Sequence, residues 1–366
     1  MRPLSARRPP APSQASAPAR AGHAIAYQPK PRPRPHADDA VRDIAVPDVE
    51  RLLESWFGRP VVLLSSGRTG LRVLLQAAGF DRYRNRMWVP PFLSRCVMNA
   101  VTLNAFPIDQ PRGADGALLY HQFGFQQVEA PQGFVVEDLA HAFFGSPRTG
   151  SRQWLSEASI FSLPKFFPVA GLVGGVVTSN RALADEVRAL AAATPTASPD
   201  VQQWMRHVYA TVVHGEGVDR QAESVWIDSV YELLFHHAQP DPLALQGFPL
   251  QSAGLSQAGE RRAALIDHFL DFFRGTQPSE LWTGEPRPIA WALPYFARHG
   301  RVGLMRASAA LGDLGVEAGI YHIDVRRSMA RALYRECLLI PCHQHIAPAD
   351  FEEICRTIAR SDQDET

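Results

Sequence analysis

The sequence predicts an α/β protein in which a large domain, built on a mostly parallel central sheet, precedes a small C-terminal α/β domain. Short apolar runs of strand length, such as Val61–Leu64 and Phe134–Asp138, alternate with segments whose apolar residues recur at helical spacing. With 366 residues the chain can hold one large α/β domain and a smaller unit. A change in composition at Thr283–Pro286 predicts the boundary between them. The predicted units are a tail at 1–40, a large domain at 41–282 and a small domain at 283–366.

Composition and charge favour a cytoplasmic protein that acts on small molecules. Apolar residues make up 46% and charged residues 20% of the chain, as in ordinary soluble globular proteins. The formal net charge is zero, which favours neither nucleic acid nor a membrane as a partner. The four cysteines lack a CxxC pair, so we expect free thiols rather than disulfides or a zinc site. There is no apolar run of transmembrane length and no apolar core of a secretory signal.

Residues 1–40 are rich in Pro, Ala, Arg and Ser, and they include the repeat Pro31–Pro35. Such a composition buries too little apolar surface to fold, so it predicts a disordered tail. A polybasic tether is the alternative, and the sequence does not decide the role of this segment.

The first predicted elements are a helix, a strand and a second helix. The helix runs from an N-cap at Asp48 to Phe57, and Gly58 ends it. The strand Val61–Leu64 leads into the turn Ser65–Gly70 and the next helix. Free backbone N–H groups and the positive end of a helix dipole make such a turn suited to bind a phosphate. An ordinary serine N-cap explains the same residues equally well.

Three further strands are predicted in this domain. The first begins at Met87 and is stopped by Pro90 and Pro91, and the others are Ala117–Tyr120 and Phe134–Asp138. Phe92 projects beyond the first strand, where it could lie on a flat cofactor ring or pack in the core. Asp138 ends the third strand, and parallel sheets bind ligands beyond the carboxyl ends of their strands. His141 follows closely enough to turn back to the same place. A helix N-cap is the alternative role for Asp138.

Lysine is the rarest basic residue of the chain and predicts its chemistry. The chain has only Lys30 and Lys165, and every other basic position that carries a permanent charge is arginine. Lys165 lies between the apolar run Ser159–Leu163 and a glycine-rich segment that ends at Gly175. Burial lowers the pKa of an amine until it is nucleophilic and can form a Schiff base, whereas arginine stays protonated. The alternative is a lysine at a strand end whose amine reaches solvent.

The rest of the chain is predicted to alternate strands and helices. After a strand at Val176–Thr178, the predicted elements are helices at Ala182–Ala193 and Glu260–Phe273, a strand at Ile289–Phe296, a helix at Leu304–Leu314, a strand at Cys337–Ile340 and a helix at Pro348–Arg360. The histidines have no zinc-ligand spacing, so no metal is predicted.

From about Val61 onward the chain resembles the DegT/DnrJ/EryC1/StrS family of pyridoxal-phosphate-dependent aminotransferases. The segments that carry the resemblance are Ser66–Leu71, Pro90–Phe92, Glu137–His141, Phe161–Lys165, Gly174–Gly175 and Leu339–His343. The resemblance implies a fold type I transferase that binds pyridoxal 5′-phosphate and forms a homodimer.

The resemblance also implies roles for individual residues. Lys165 would carry the internal aldimine, and Asp138 would pair with the pyridine nitrogen, so both would be catalytic. His141 would lie near the phenolic oxygen of the ring, and Phe92 would stack on the ring. The residues implied to hold the phosphate are Ser66, Gly67, Arg68, Thr69 and Ser162.

The implied activity is transfer of an amino group from an amino acid to a keto-sugar or a similar carbonyl acceptor. The chain lacks the GxNxR-type segment of sugar aminotransferases, and Phe166–Pro168 departs from the usual pattern, which weakens the inference that the acceptor is a nucleotide-linked keto-sugar. The sequence does not reveal the acceptor, the donor or the stereochemistry. A pyridoxal-phosphate lyase, dehydratase or decarboxylase would use the same lysine and aspartate. A non-catalytic binding or regulatory protein is the third alternative, although it would gain nothing from a buried amine facing an acid.

Overall fold

The computed structural model describes residues 25–29, 44–144, 154–214, 230, 233–282 and 289–363. The rest of the predicted tail and the predicted boundary at Thr283–Pro286 lie outside the described residues. No helix in the described part of the chain has both the length and the apolar character needed to cross a membrane.

A seven-stranded sheet forms the centre of the large unit. Its strands are β1 Val61–Leu64, β2 Arg86–Trp88, β3 Phe106–Ile108, β4 Gly116–Tyr120, β5 Phe134–Asp138, β6 Ala158–Ser162 and β7 Gly174–Thr178. In the order β1-β7-β6-β5-β4-β2-β3, only β7 runs antiparallel to its neighbours. The predicted mostly parallel sheet is therefore confirmed. Because β1 and β6 both oppose β7, all strands except β7 end at one edge of the sheet.

Helices cover this sheet. They are α1 Val46–Phe57, α2 Gly67–Ala77, α3 Arg95–Thr102 and α4 Arg181–Ala193. A further helix, α5 Pro199–His214, instead joins a separate small apolar cluster through Val208, which packs with Leu234. The N-cap of α1 is Ala45 rather than Asp48, because Pro47 occupies an early helical position where its missing N–H costs nothing. Asp48 instead lies in the first turn and binds Arg51. Gly58 ends the helix as predicted, with a positive φ of 66°.

The C-terminal part of the chain contains a second sheet. The strands of this sheet are β8 Ala292–Tyr295, β9 Gly319–Asp324 and β10 Tyr334–Pro341. Helices α6 Ser252–Phe272 and α7 Ser279–Trp282 precede it, α8 Gly300–Asp313 connects β8 to β9, and α9 Pro348–Gln363 follows β10. The strands pair antiparallel in the order β8-β10-β9, and β9 was not predicted. Helix α6 begins earlier than the predicted Glu260. Because the two sheets occupy separate stretches of sequence, we propose a domain division near residue 283.

Five residues of the predicted tail are ordered against the C-terminal sheet. Ile25 forms a bridge with Val316, and the buried hydroxyl of Tyr27 donates a hydrogen bond to the carbonyl oxygen of Leu339. The N–H of Gly319 donates to the same hydroxyl. The prediction of disorder throughout residues 1–40 is thus wrong for residues 25–29, because partners from the distant C-terminal part satisfy their backbone and bury their apolar side chains.

Apolar side chains fill both faces of the large sheet. Alternate residues of β1 point to opposite faces, so that Val61 and Leu63 join one core cluster while Val62 and Leu64 join the other. The first cluster extends without interruption to Ile354 in α9. The two sheets therefore share one core, and the C-terminal unit is packed directly against the strands that carry the candidate site.

Candidate active site

The ends of the parallel strands meet at a cavity of about 260 Å³. Seven of the residues predicted for the site line it, namely Ser66, Gly67, Arg68, Asp138, His141, Ser162 and Lys165. Asp138 ends β5, and Lys165 closes a single 3₁₀ turn, Leu163–Lys165, that follows β6. The sheet thus brings an amine, a carboxylate, an imidazole and the start of α2 to one place.

The turn between β1 and α2 lies directly against the backbone of the neighbouring strands. The Oγ atom of Ser66 accepts a hydrogen bond from the N–H of Thr69, so Ser66 caps the helix. A Cβ atom on Gly67 would lie 2.7 Å from the carbonyl oxygen of Phe161, and one on Gly174 would lie 2.3 Å from the nitrogen of Gly67. Only glycine fits at both positions, which explains this spacing of glycines in the sequence.

Thr69 supports this turn from behind. Its buried hydroxyl donates to the carbonyl oxygen of Leu234 and lies 2.9 Å from the hydroxyl of Ser66. Thr69 does not line the cavity among the described residues, so it fixes Ser66 rather than facing a ligand.

Lys165 carries an amine that loses its proton more easily than usual. Burial, and then the positive charge of Arg68, lower the pKa of the amine to about 8. Cys96, Glu317 and Asp138 act in the opposite direction. A useful fraction of the amine is therefore neutral, and so nucleophilic, near neutral pH.

Asp138 and Glu137 point to opposite faces of β5 and have different partners. Asp138 is buried beside the cavity, and its Oδ1 accepts a hydrogen bond from the N–H of Ala140 at 2.9 Å. Burial raises its pKa, against the effects of that N–H, His121, Arg68 and Lys165. Glu137 instead binds the ring of His121 at 2.9 Å and two backbone N–H groups. Only Asp138 is available to a ligand in the cavity, and no helix follows it to be capped in the described residues.

His141 is neutral, with its proton assigned to Nε2. The hydroxyl of Tyr120 lies 2.9 Å from its Nδ1. Burial raises the pKa of Tyr120 well above its ordinary value, and burial lowers that of His141 well below its own. The phenol therefore stays protonated, and its O–H donates a hydrogen bond to Nδ1. The proton of the neutral imidazole is then on Nε2, which can donate a hydrogen bond.

Two residues that sequence reasoning missed hold the turn that carries the lysine. The fully buried Arg262 of α6 donates from Nη2 to the carbonyl oxygen of Lys165 and from Nε to the side chain of Gln344. Gln344 in turn donates to the carbonyl oxygen of Phe166 at 2.6 Å. Arg262 lies on the buried face of α6 together with Leu255 and Leu265. An arginine among apolar residues at helical spacing is the sequence pattern that predicts a buried, hydrogen-bonded charge at this position.

Phe92 lies outside the cavity, contrary to the prediction that it stacks on a cofactor ring. Its backbone has a positive φ of 60°, which turns the side chain away, and the residue is 58% exposed. Its ring stacks on His322 at 4.5 Å and contacts Tyr334. Four of the residues that follow it form the cavity wall instead, namely Leu93, Ser94, Cys96 and Val97.

A family model described as "Putative PLP-dependent aminotransferase", where PLP is pyridoxal phosphate, matches residues 57–253, which is more than half of the chain. The chain belongs to this family. The matched segment of the aminotransferase contains every cavity-lining residue described above. A comparison of the sequence with curated proteins finds no match.

Solved aminotransferases share the fold. A DegT DnrJ EryC1 StrS aminotransferase from Brucella abortus is 16% identical with a TM-score of 0.59, over 88% of this chain and 92% of its own. DesV from S. venezuelae is 16% identical with a TM-score of 0.60, over 90% of this chain and 92% of its own. The sugar aminotransferase CalS13 from Micromonospora echinospora is 16% identical with a TM-score of 0.59, over 86% of this chain and 91% of its own. At this identity the likeness shows the fold, which is fold type I.

The chemistry of the cavity fits pyridoxal phosphate, the cofactor of this family. An amine of lowered pKa suits its aldehyde, and a buried carboxylate suits a protonated ring nitrogen. The start of an eleven-residue helix, with Ser66 and Arg68 beside it, suits its phosphate. Gly67, the first residue of this helix, lines the same cavity.

Proposed function

We propose that this aminotransferase moves an amino group from an amino acid to a keto-sugar or similar carbonyl compound, with Lys165 as the residue that binds the cofactor. The observation that carries the proposal is the convergence of Lys165, Asp138, His141 and the start of α2 on one cavity. The fold neighbour CalS13 is a sugar aminotransferase, which supports a sugar-like carbonyl compound as the acceptor. Membership of an aminotransferase family favours transamination over the lyase and non-catalytic alternatives.

Lys165 would both bind the cofactor and move a proton. When bound, pyridoxal phosphate supplies an aldehyde that exchanges amino groups and a ring that withdraws electrons from the substrate. Because the lowered pKa of Lys165 leaves part of its amine unprotonated, Nζ would bind the cofactor at this aldehyde, with loss of water. Once the amino donor has replaced it on the cofactor, the free Nζ would be the base that takes a proton from the substrate carbon.

The other cavity residues would bind and orient the cofactor. Asp138 would hold a proton on the ring nitrogen through its buried carboxylate, and His141 would donate Nε2–H to the phenolic oxygen. Ser66, Arg68 and Ser162 would bind the phosphate together with the first N–H groups of α2, while Thr69 holds Ser66 in place. Phe92 has no role in this proposal, since its ring lies elsewhere.

The proposal also includes a cytoplasmic location and a homodimeric assembly. The cysteines Cys96, Cys337, Cys342 and Cys355 are free, which supports a reducing cytoplasm. A homodimer is proposed by analogy with the family, and light scattering of the purified protein would test it.

The test is a spectral titration. Protein loaded with pyridoxal phosphate should be yellow, should bleach when an amino donor is added, and should regain its colour with a keto-sugar acceptor. Lys165→Ala should abolish the colour change, whereas Lys30→Ala, the same change at the second lysine, should leave it intact. Colour that no donor bleaches would favour a lyase, and a protein that binds no cofactor would contradict the proposal.

A further inference from the structure

Trp291 lies immediately before β8 and contacts two of the residues proposed to act on the cofactor, Lys165 and His141. Its side chain is buried, and the residue is only 7% exposed. The Nζ atom of Lys165 lies 4.5 Å from the centre of its ring. The imidazole of His141 stacks on the same indole, with ring centres 4.3 Å apart and planes within 8° of parallel. One aromatic side chain therefore forms the common support of the amine and the imidazole.

The indole is itself held by neighbours from two distant segments. The backbone N–H of Trp291 donates to the carbonyl oxygen of Phe123 at 2.8 Å, and the Phe123 ring packs 6.4 Å from the indole. Tyr27, from the ordered N-terminal segment, packs on it at 5.1 Å. Tyr27 is anchored in turn by its hydrogen bonds to the strands β9 and β10. The position of Trp291 is thus fixed by its surroundings, as a support for other side chains requires.

We propose that Trp291 is a positioning residue whose ring stabilises the ammonium form of the Lys165 amine beside His141, so that Nζ binds the proton it accepts more tightly than its burial alone would allow. This inference rests on the proposed role of Lys165. The face of an indole carries partial negative charge and attracts an ammonium group, most strongly where water is scarce. Trp291 thereby opposes burial and Arg68, both of which favour the neutral amine.

Other groups also act on the amine, and a test has to leave them unchanged. The titratable or charged side chains that face it or bind its residue are Arg68, Cys96, Asp138, His141, Glu317 and Arg262. Substituting Trp291 replaces none of these side chains, and the one that stacks on its ring, His141, is neutral, so a change in proton affinity of the amine reports on the loss of the ring.

The experiment measures the protonation of Lys165 directly in the protein without cofactor. In a Lys30→Arg background Lys165 is the only lysine, and brief acetylation with acetic anhydride at a series of pH values, followed by peptide mass spectrometry, gives its titration midpoint. Trp291→Leu should lower that midpoint by about one pH unit, a tenfold loss of proton affinity, and Trp291→Phe should lower it by less, because a smaller ring remains.

A matched control separates this effect from general loosening of the core. Trp282→Leu removes another tryptophan, one that packs on Phe125 and Phe269, and it should leave the midpoint of Lys165 unchanged. An unchanged midpoint in Trp291→Leu, an equal shift in Trp282→Leu, or equal shifts in both Trp291 variants would overturn the proposal. If Trp291→Leu fails to fold by circular dichroism, Trp291→Phe decides. Since acetylation needs no cofactor, its outcome is independent of the spectral titration that tests the proposed function.

Discussion

Replacing Lys165 by methionine should stabilise the cofactor-free protein at neutral pH, although it removes the residue that the proposed reaction needs. Burial and Arg68 lower the pKa of this amine from 10.5 to about 8. Each pH unit of such a difference corresponds to about 1.4 kcal/mol, so a fully buried amine would cost about 3 kcal/mol of folding free energy. Lys165 is half-buried and borders the cavity, where water screens its charge, so we expect about 2 kcal/mol.

The pH dependence of this difference has a definite sign. Below about pH 8 the folded wild type carries the ammonium group at its full cost. From about pH 8 to 10.5 the unfolded chain binds more protons than the folded chain, so the stability of the wild type rises with pH relative to the variant. Above 10.5 both states hold a neutral amine, and the advantage of Lys165→Met should vanish.

Urea unfolding of both proteins at several pH values measures this difference. The thiols and phenols that also titrate in this range are common to both proteins, so their contributions cancel in the comparison. Lys30→Met provides the matched control and should not differ from the wild type. A variant that is less stable than the wild type at neutral pH, or an advantage that does not decline with rising pH, would refute the reasoning.

Two further substitutions test the geometry of the site. Tyr120→Phe removes the hydroxyl that sets the proton of His141 on Nε2, so the affinity for pyridoxal phosphate in equilibrium dialysis should fall about tenfold; an unchanged affinity would contradict that role. Gly67→Ala places a methyl group 2.7 Å from the carbonyl oxygen of Phe161, and should lower the free energy of unfolding by about 1–3 kcal/mol in a urea titration. Gly312→Ala, whose methyl would meet no atom within 4 Å in α8, should be neutral or slightly stabilising, and equal losses in both would argue against the packing explanation.

Sequence patterns predicted the part of the site that local geometry determines. Asp138 and Lys165 follow apolar runs that can only be buried strands, and parallel strands end at a common edge. The glycines around Ser66 and Gly174 marked the place where a helix begins against the sheet. These features depend on residues close together in the chain, so a single sequence contains enough information to find them.

The remaining features depend on contacts between distant residues or on backbone angles. Tyr27 is ordered by partners 290 and 312 positions later in the chain, and the composition of residues 1–40 cannot reveal such contacts. Trp291 looks like any aromatic residue beside a short strand, and its contact with Lys165 appears only in the folded chain. Phe92 was misplaced because its positive φ turns the ring away from the direction that a continuing strand would give it.

The hydrogen bond from Gln344 to the carbonyl oxygen of Phe166 joins residues 178 positions apart. At a synthesis rate of about 5–20 residues per second, the ribosome needs roughly 10–35 s to deliver Gln344 after the lysine has been made. Until then the carbonyl oxygen of Phe166 lacks the donor that finally holds it, and a nascent chain cannot present a finished cavity to the cofactor. Shortened products that end before Gln344 should therefore accumulate as inactive protein rather than as weakened enzyme.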